Sequence, residues 1–343
     1  MEFSVVFIEI AIFLLITFFA KKINFLNDNN LKFKHKVLVD NNNSKFTGGL
    51  FIFFSILFYF PDSLNNLVLY SFLILLLGLL SDLNILSEPL PRFVSQSILL
   101  ISFIALTNTT IDTINVEVLD SFLKNKTISI FFSLFCFMVL INGTNFLDGL
   151  NTLVSGYYFL ITIMIYYLGE NLNLVIYSEI FLFLSIVLLI FLIFNFFGKS
   201  ILGDGGSYTL SFIFGFLLID LFNNNKSISP YFIALILWYP AFENLFSIIR
   251  RLFISRKKIS SPDTLHLHQL IYVFLSKYIY KKSKFSNTKT GLIILLYNFV
   301  IFYLTIVFKL YYDTRIMVSI ILFNVAVYLA IYYKLNKLFF KKK

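Results

Sequence analysis

Apolar residues dominate the chain in long runs. They neither alternate nor keep to one helical face. Runs of roughly 15 to 22 apolar residues are long enough for a helix to cross the hydrocarbon core of a bilayer. Such runs fall near 3–20, 47–60, 66–80, 92–108, 127–142, 151–168, 173–196, 207–222, 229–249, 290–308 and 314–333. The pattern predicts an all-α polytopic membrane protein, a bundle of about eleven transmembrane helices. Several spans, notably the second and third, are short and must be fixed mainly by neighbours and loops. A membrane barrel is excluded, because its strands would alternate apolar with polar residues. No soluble domain, low-complexity linker or internal repeat interrupts the runs, so residues 1–343 read as a single integral-membrane domain.

Composition and charge sharpen this picture. Length alone would suggest two soluble domains, but 59% hydrophobic against 13% charged residues removes that reading. The first run has Glu2 and Glu9 before or within it and Lys21 and Lys22 after it, the reverse of a secretory signal. It reads as an uncleaved span with its N-terminus outside. With eleven spans, the segments 21–46, 81–92, 197–206 and 250–289 and the tail 334–343 share one side. They hold 23 of the 28 Lys and Arg; Lys124, Lys126, Lys226, Lys309 and Arg315 are on the other. That asymmetry assigns the first set and the C-terminus to the cytoplasm. The basic tail KLNKLFFKKK is then a topology anchor at anionic lipid, and no nucleic-acid partner is expected. Cys136 is the single cysteine, so neither an intramolecular disulfide nor a zinc site is indicated.

Polar clusters able to carry chemistry all fall on the cytoplasmic set. INGTNFLDGL at 141–150, continued by Asn151 and Thr152, ends the fifth run. Asn142, Asn145, Asp148 and Asn151 recur at intervals of three, which on a helix makes one ridge of carboxamides and a carboxylate. Packing gives no reason for such a ridge, whereas a metal–nucleotide complex does. GLLSDLNILSEPLPR places Asp82 at the end of span three and Arg92 at the start of span four. FNFFGKSILGDGGS joins spans seven and eight and carries Asn195, Lys199 and Asp204. Its glycines allow close backbone approach, a helix start offers N–H groups to phosphate, and Asp204 beside them suits Mg²⁺. A tight turn between two membrane helices is the plain alternative. RRLFISRKKISSPDTLHLHQL follows span nine with Arg250, Arg251, Arg256, His266 and His268. Histidines two apart do not make a helical zinc pair, but in an extended loop both face one way, toward a sugar or a phosphate. Glu243, inside span nine, is expected to pair with a base such as Arg250. Three separated aspartates, a glycine-rich turn, amides and a basic histidine loop on one membrane face are what phosphoryl transfer needs.

Together these motifs resemble the polyprenyl-phosphate N-acetylhexosamine-1-phosphate transferases, glycosyltransferase family 4, in particular the WecA/TagO-like branch related to MraY. The motif-bearing part runs from about 47 to 270, with C-terminal helices at 290–333. NGTNFLDGLN is similar to the family's N-x-x-N-x-x-D-G-x-D motif, GDGGS to its G-D-x-G-S, and SPDTLHLHQ to its P-D-x-x-H-x-H-H. TGG at 47–49 resembles the G-G opening the second helix, and GLLSDL the G-x-x-D-D motif. Three positions depart: Ser81 stands for the first acid of the aspartate pair, Asn151 for the last acid of the second motif, and Gln269 for the final histidine.

The resemblance implies transfer of a sugar-1-phosphate, an N-acetylhexosamine-1-phosphate, from a UDP-sugar to undecaprenyl or another polyprenyl phosphate. UMP is released, and lipid-linked cell-envelope glycan synthesis begins in the bacterial inner membrane. UDP-GlcNAc leads the candidate donors, and Mg²⁺ or Mn²⁺ is the implied cofactor. Asp204 would ligate the metal on the donor diphosphate, with Asp148, Asn145 and Asn151 binding metal or uridine. Asp82 would position or deprotonate the lipid phosphate. Lys199 and Arg92 would contact phosphates, and Arg251, Arg256, His266 and His268 the diphosphate and sugar. Two rivals stand beside this reading: a donor-binding relative without turnover, motivated by Ser81, and a lipid-linked sugar transporter.

Overall fold

The computed structural model describes residues 3–22, 46–254, 265–280 and 285–340. Helices α1 (Phe3–Lys22), α2 (Gly48–Tyr59), α3 (Asn65–Asp82) and α4 (Pro89–Thr107) come first. A short α5 (Glu117–Leu123) precedes α6 (Lys126–Leu147), α7 (Leu153–Asn171), α8 (Val175–Phe196) and α9 (Gly203–Asn224). Then follow α10 (Pro230–Ile236), α11 (Trp238–Ile249), α12 (Leu267–Tyr278), α13 (Ser286–Val307) and α14 (Thr314–Phe340). No strand forms among the described residues. Local chemistry marks several boundaries. The Asn125 side chain accepts the N–H groups of Thr127 and Ile128 to start α6, and Ser229 with Pro230 starts α10.

Among the described residues nine helices are long and apolar enough to cross a bilayer, or ten if α10 and α11 form one span. The expected eleven therefore shrinks for two reasons. Helix α2 has 12 residues, which at about 1.5 Å per residue reach only some 18 Å. The ninth run is broken at Leu237 and bends by 75°. Proline explains the break: Pro240 lacks the N–H that would bond Ile236 four residues earlier. The Tyr157 hydroxyl donates to the Ile236 carbonyl instead, at 2.9 Å.

Helix α9 is the axis of the bundle. Of its membrane-length window 94% is buried, against 17% for α1 and 22% for α4 and α14. The peripheral helices display exposed Phe7, Leu90, Ile98 and Leu322, as helices facing lipid must. Helix α9 packs against α3, α6 and α2. The approach is backbone to backbone: a Cβ built on Gly49 would lie 2.6 Å from the Gly206 nitrogen, and Gly78 backs equally closely onto Gly205. Small residues at helix seams are how membrane helices gain packing without a hydrophobic drive. Here those seams place the start of α9 between the start of α2 and the end of α3.

Candidate active site

The C-termini of α3, α6 and α11 and the N-termini of α4, α9 and α12 meet at one end of the bundle. The GDGG run does not form a loop there: α9 begins at Gly203, so Asp204 sits in its first turn. Gly203 has φ +74°, and a Cβ there would lie 2.7 Å from Asp82 Oδ2. Glycine is thus required twice over, by the left-handed backbone and by the adjacent carboxylate.

The N–H groups at this helix start are already engaged, which corrects their assignment to a phosphate. Gly203 N–H donates to Asp148 Oδ2 at 3.0 Å. Asp204 N–H donates to Asp82 Oδ1 at 2.9 Å and Gly205 N–H to Asp82 Oδ2 at 3.0 Å. Two carboxylates from two other helices therefore cap α9, favoured by its dipole and by charge-assisted hydrogen bonds. Asp82 is fully buried and turned to backbone in this arrangement.

Asp204 is the acid presented beside Arg92. Its Oδ2 accepts the Ser81 hydroxyl at 2.7 Å and Arg92 Nη1 at 3.3 Å. The same Arg92 nitrogen donates to Ser81 Oγ at 2.8 Å. Ser81, visible in the sequence only as a departure, is thus the bridge of an Arg92–Ser81–Asp204 triad. Asn145, on the last turns of α6, accepts the Ser207 hydroxyl of α9 at 3.3 Å.

The polar ridge is not one continuous helical stripe. Asn142 and Asn145 lie on α6, Asp148 is its C-cap, and Asn151 belongs to the turn that follows. In that turn Asn151 N–H donates to Asn287 Oδ1 of α13 at 2.7 Å. Thr152 has φ +69°, a strained value for a β-branched residue. Its N–H donates at 2.6 Å to Asn195 Oδ1, while Asn195 Nδ2 donates to the Ser200 carbonyl at 2.8 Å. Asn195 thereby ties the Asp148–Thr152 turn to the segment leading into Gly203. Thr47 closes the arrangement through the Ser200 hydroxyl, 2.8 Å away.

The histidines sit at the start of α12. His266 is its N-cap with extended backbone, and His268 lies in the first turn. The rings stack with centroids 5.6 Å apart and planes within 15°, and Phe146 lies 5.0 Å from His266. A Cβ on Gly149 would lie 3.3 Å from His268 Nε2, so the pair rests on the turn that carries Asp148. His266 Nδ1 is 2.9 Å from Glu243 Oε1, and the Tyr328 hydroxyl donates to Glu243 Oε2 at 2.9 Å. Glu243 thus pairs with His266, in place of the expected Arg250. The Arg250 guanidinium lies 5.8 Å from the centre of the Tyr332 ring.

The cluster therefore gathers Asp82, Arg92, Asn145, Asp148, Asp204, His266 and His268. Arg251 is buried at the end of α11, in the wider turn Arg250–Ile254. Lys199 is exposed, its Nζ 5.9 Å from the Phe197 ring, and Arg256 lies outside the described residues.

Comparison with known proteins bears on this geometry. Residues 64–222 match the family described as glycosyl transferase family 4. Over 253 residues the chain is 28% identical to the undecaprenyl-phosphate alpha-N-acetylglucosaminyl 1-phosphate transferase of Thermotoga maritima. The match covers 74% of this chain and 74% of that protein.

Proposed function

We propose that the chain, whose residues 64–222 match glycosyl transferase family 4, transfers a sugar-1-phosphate from a UDP-sugar to a polyprenyl phosphate. The donor is a UDP-N-acetylhexosamine, the acceptor undecaprenyl phosphate or a similar lipid, and UMP is the second product. The observation that carries this reading is the Arg92–Ser81–Asp204 triad on a helix start that Asp82 and Asp148 hold in place. Rigid charge placement is the main contribution a protein can make to phosphoryl transfer.

In this reading the acceptor arrives along the bilayer with its phosphate at the bundle end. One of its oxygens attacks the sugar-bearing phosphorus of the donor, the bond to the bridging oxygen breaks, and UMP leaves with that oxygen. Arg92 draws a phosphate beside Asp204. Asn145, Asp148 and Asn151 form the nucleotide side, and His266, His268 and Arg251 receive the diphosphate and sugar. Arg256 and Lys199 add positive charge at the rim. Asp82 acts through the backbone it holds.

The donor set suits a hard cation: Asp148 and Asp204 offer carboxylate oxygens at adjacent positions of one helix start. Among the described residues no group of three His, Cys, Asp or Glu could hold a metal unaided. Mg²⁺ or Mn²⁺ would therefore be held by these acids, with Asn151 as an amide donor, and by substrate phosphates. When bound, the cation neutralises charge on the diphosphate. Short as α2 is, it leaves the bundle end where Gly49 meets Gly206, and α3 returns there with Gly78 against Gly205. Counted with α2 as a crossing, the charge asymmetry of the loops supports a cytoplasmic active face with the N-terminus outside.

The test is UMP release by the purified full chain from UDP-N-acetylhexosamines, undecaprenyl phosphate and Mg²⁺. Release that EDTA abolishes and excess Mg²⁺ restores is the expected result. A folded sample that releases no UMP from any N-acetylhexosamine donor overturns the reading. Full activity in EDTA overturns the metal assignment alone.

A further inference from the structure

Two carboxylates of this region are completely buried, Asp82 and Glu243, and only Asp82 is accounted for by the α9 backbone N–H groups it accepts. Glu243 is completely buried in α11, and both its oxygens are engaged by side chains from other helices, His266 Nδ1 and the Tyr328 hydroxyl. A carboxylate inside a membrane bundle is costly and marks a functional position. Packing alone would be served by an apolar residue at lower cost. Its partner His266 stacks on His268, which rests on the Asp148–Gly149 turn. The chain of contacts therefore runs from Tyr328 on α14 through Glu243, His266 and His268 to Gly149, the neighbour of Asp148, one of the two carboxylates that cap α9.

We propose that Glu243 is the positioning residue of the two-histidine shelf, fixing its orientation toward the diphosphate and sugar of the donor. The inference rests on the transferase reading above. A carboxylate only accepts hydrogen bonds, so His266 must present Nδ1–H to it. The two nitrogens of an imidazole diverge, so this contact turns Nε2 away from Glu243. Tyr328 holds the other carboxylate oxygen and keeps Glu243 from rotating. The parallel stack then passes the orientation of His266 to His268. Histidines in metal sites are oriented in the same way by a carboxylate behind them.

Glu243→Gln isolates the effect. A glutamine has one amide oxygen for two donors. If that oxygen accepts the Tyr328 hydroxyl, its NH₂ faces Nδ1 and moves the ring proton to Nε2. The chain has three histidines, so nitrogen-labelled histidine gives few signals. The ring nitrogens of one histidine are expected to exchange their protonated and unprotonated signatures in Glu243→Gln, and that histidine is identified by its loss in His266→Ala. Transfer is expected to fall about 10- to 100-fold, with unchanged thermal midpoint. In a His266→Ala background the glutamine is expected to cost nothing further, because the two act as a unit. Tyr328→Phe, which keeps the carboxylate, gives a second and smaller loss if Glu243→Gln does not fold.

Histidine signals unchanged in both Glu243→Gln and Glu243→Ala overturn the proposal, as does an equal loss from Glu243→Gln with and without His266. So does wild-type kcat and KM in a folded Glu243→Gln protein. A wild type that releases no UMP from any donor overturns the transferase reading instead. The histidine signals still report on the Glu243–His266 contact in that case.

Discussion

Replacing Gly203 by alanine strikes the point where backbone conformation and carboxylate capping meet. The backbone there has φ +74°, and holding an L-residue in that region costs roughly 1–2 kcal/mol. The new Cβ would lie 2.7 Å from both Asp82 Oδ2 and Phe46 Cδ1, so the carboxylate must move. Asp82 Oδ2 accepts Gly205 N–H at 3.0 Å, and a hydrogen bond to a charged group is worth about 1.5–3 kcal/mol. Losing that bond brings the total to about 2.5–5 kcal/mol. Gly205→Ala, two residues on, is the control. Its nearest neighbours are the flexible ends of Leu79 and Leu75 at 3.2 and 3.4 Å, and alanine gains up to about 1 kcal/mol of helix propensity. Unfolding in mixed detergent, with UMP release on the same samples, separates the two. Gly203→Ala should unfold early and lose activity while Gly205→Ala stays near wild type. A Gly203→Ala protein within about 1 kcal/mol of wild type, or equal damage from both, refutes the reasoning.

Other consequences can be checked more briefly. Ser81→Ala removes the hydroxyl between Arg92 and Asp204 and should slow transfer about tenfold, a cost of roughly 1.4 kcal/mol, with little change in stability. Asn195→Asp keeps shape and the Thr152 acceptor but cannot donate to the Ser200 carbonyl. It should lower stability by about 1–3 kcal/mol, read from the thermal midpoint, whereas Asn195→Gln tests whether reach alone matters. At the other end of the bundle, burial works to raise the Asp120 carboxyl. Hydrogen bonds from the Ile114 N–H, the Thr113 hydroxyl and the Val116 and Asn115 backbone outweigh it and hold the group below the usual carboxylate range. Its contribution is then complete above the unfolded value, near 3.9, and is lost as pH falls through the lower folded value. Hydrogen exchange at the Ile114 amide should speed up over that acidic window, and Asp120→Asn should abolish the pH dependence.

The apolar runs were legible because a bilayer demands length and hydrophobicity, and most spans lie where those runs fall. The start of α9 was not. Gly203 to Gly206 read as a turn on local propensity, and only the close seams with Gly49 and Gly78 make a helix there. The bend at Leu237 was not read from the sequence, where 229–249 reads as one span; Pro240 removes an N–H there, and Tyr157 as the replacement donor comes from 79 positions away. The same holds for Tyr328 and Glu243, separated by 85. Motif spacing located Asp82, Asp148, Asp204 and the histidines. Which oxygen meets which N–H depends on how three helix ends dock, and nothing local encodes that. Ser81 shows the limit most clearly: as a letter it reads as a missing acid, and in space it joins Arg92 to Asp204.

The glycine seams between α9 and its neighbours also govern traffic. Where Gly49 meets Gly206 and Gly78 meets Gly205, the backbones leave no lateral gap. If the proposed polyprenyl phosphate is the acceptor, its tail cannot pass between α2 or α3 and α9 to bring the phosphate to Asp204. The flank of α4 is different: Arg92 keeps 25% of its side chain open there, beside the exposed Phe93 and Leu90. The site thus has a shut flank toward α2 and α3 and an open one at α4, where the proposed lipid acceptor would approach.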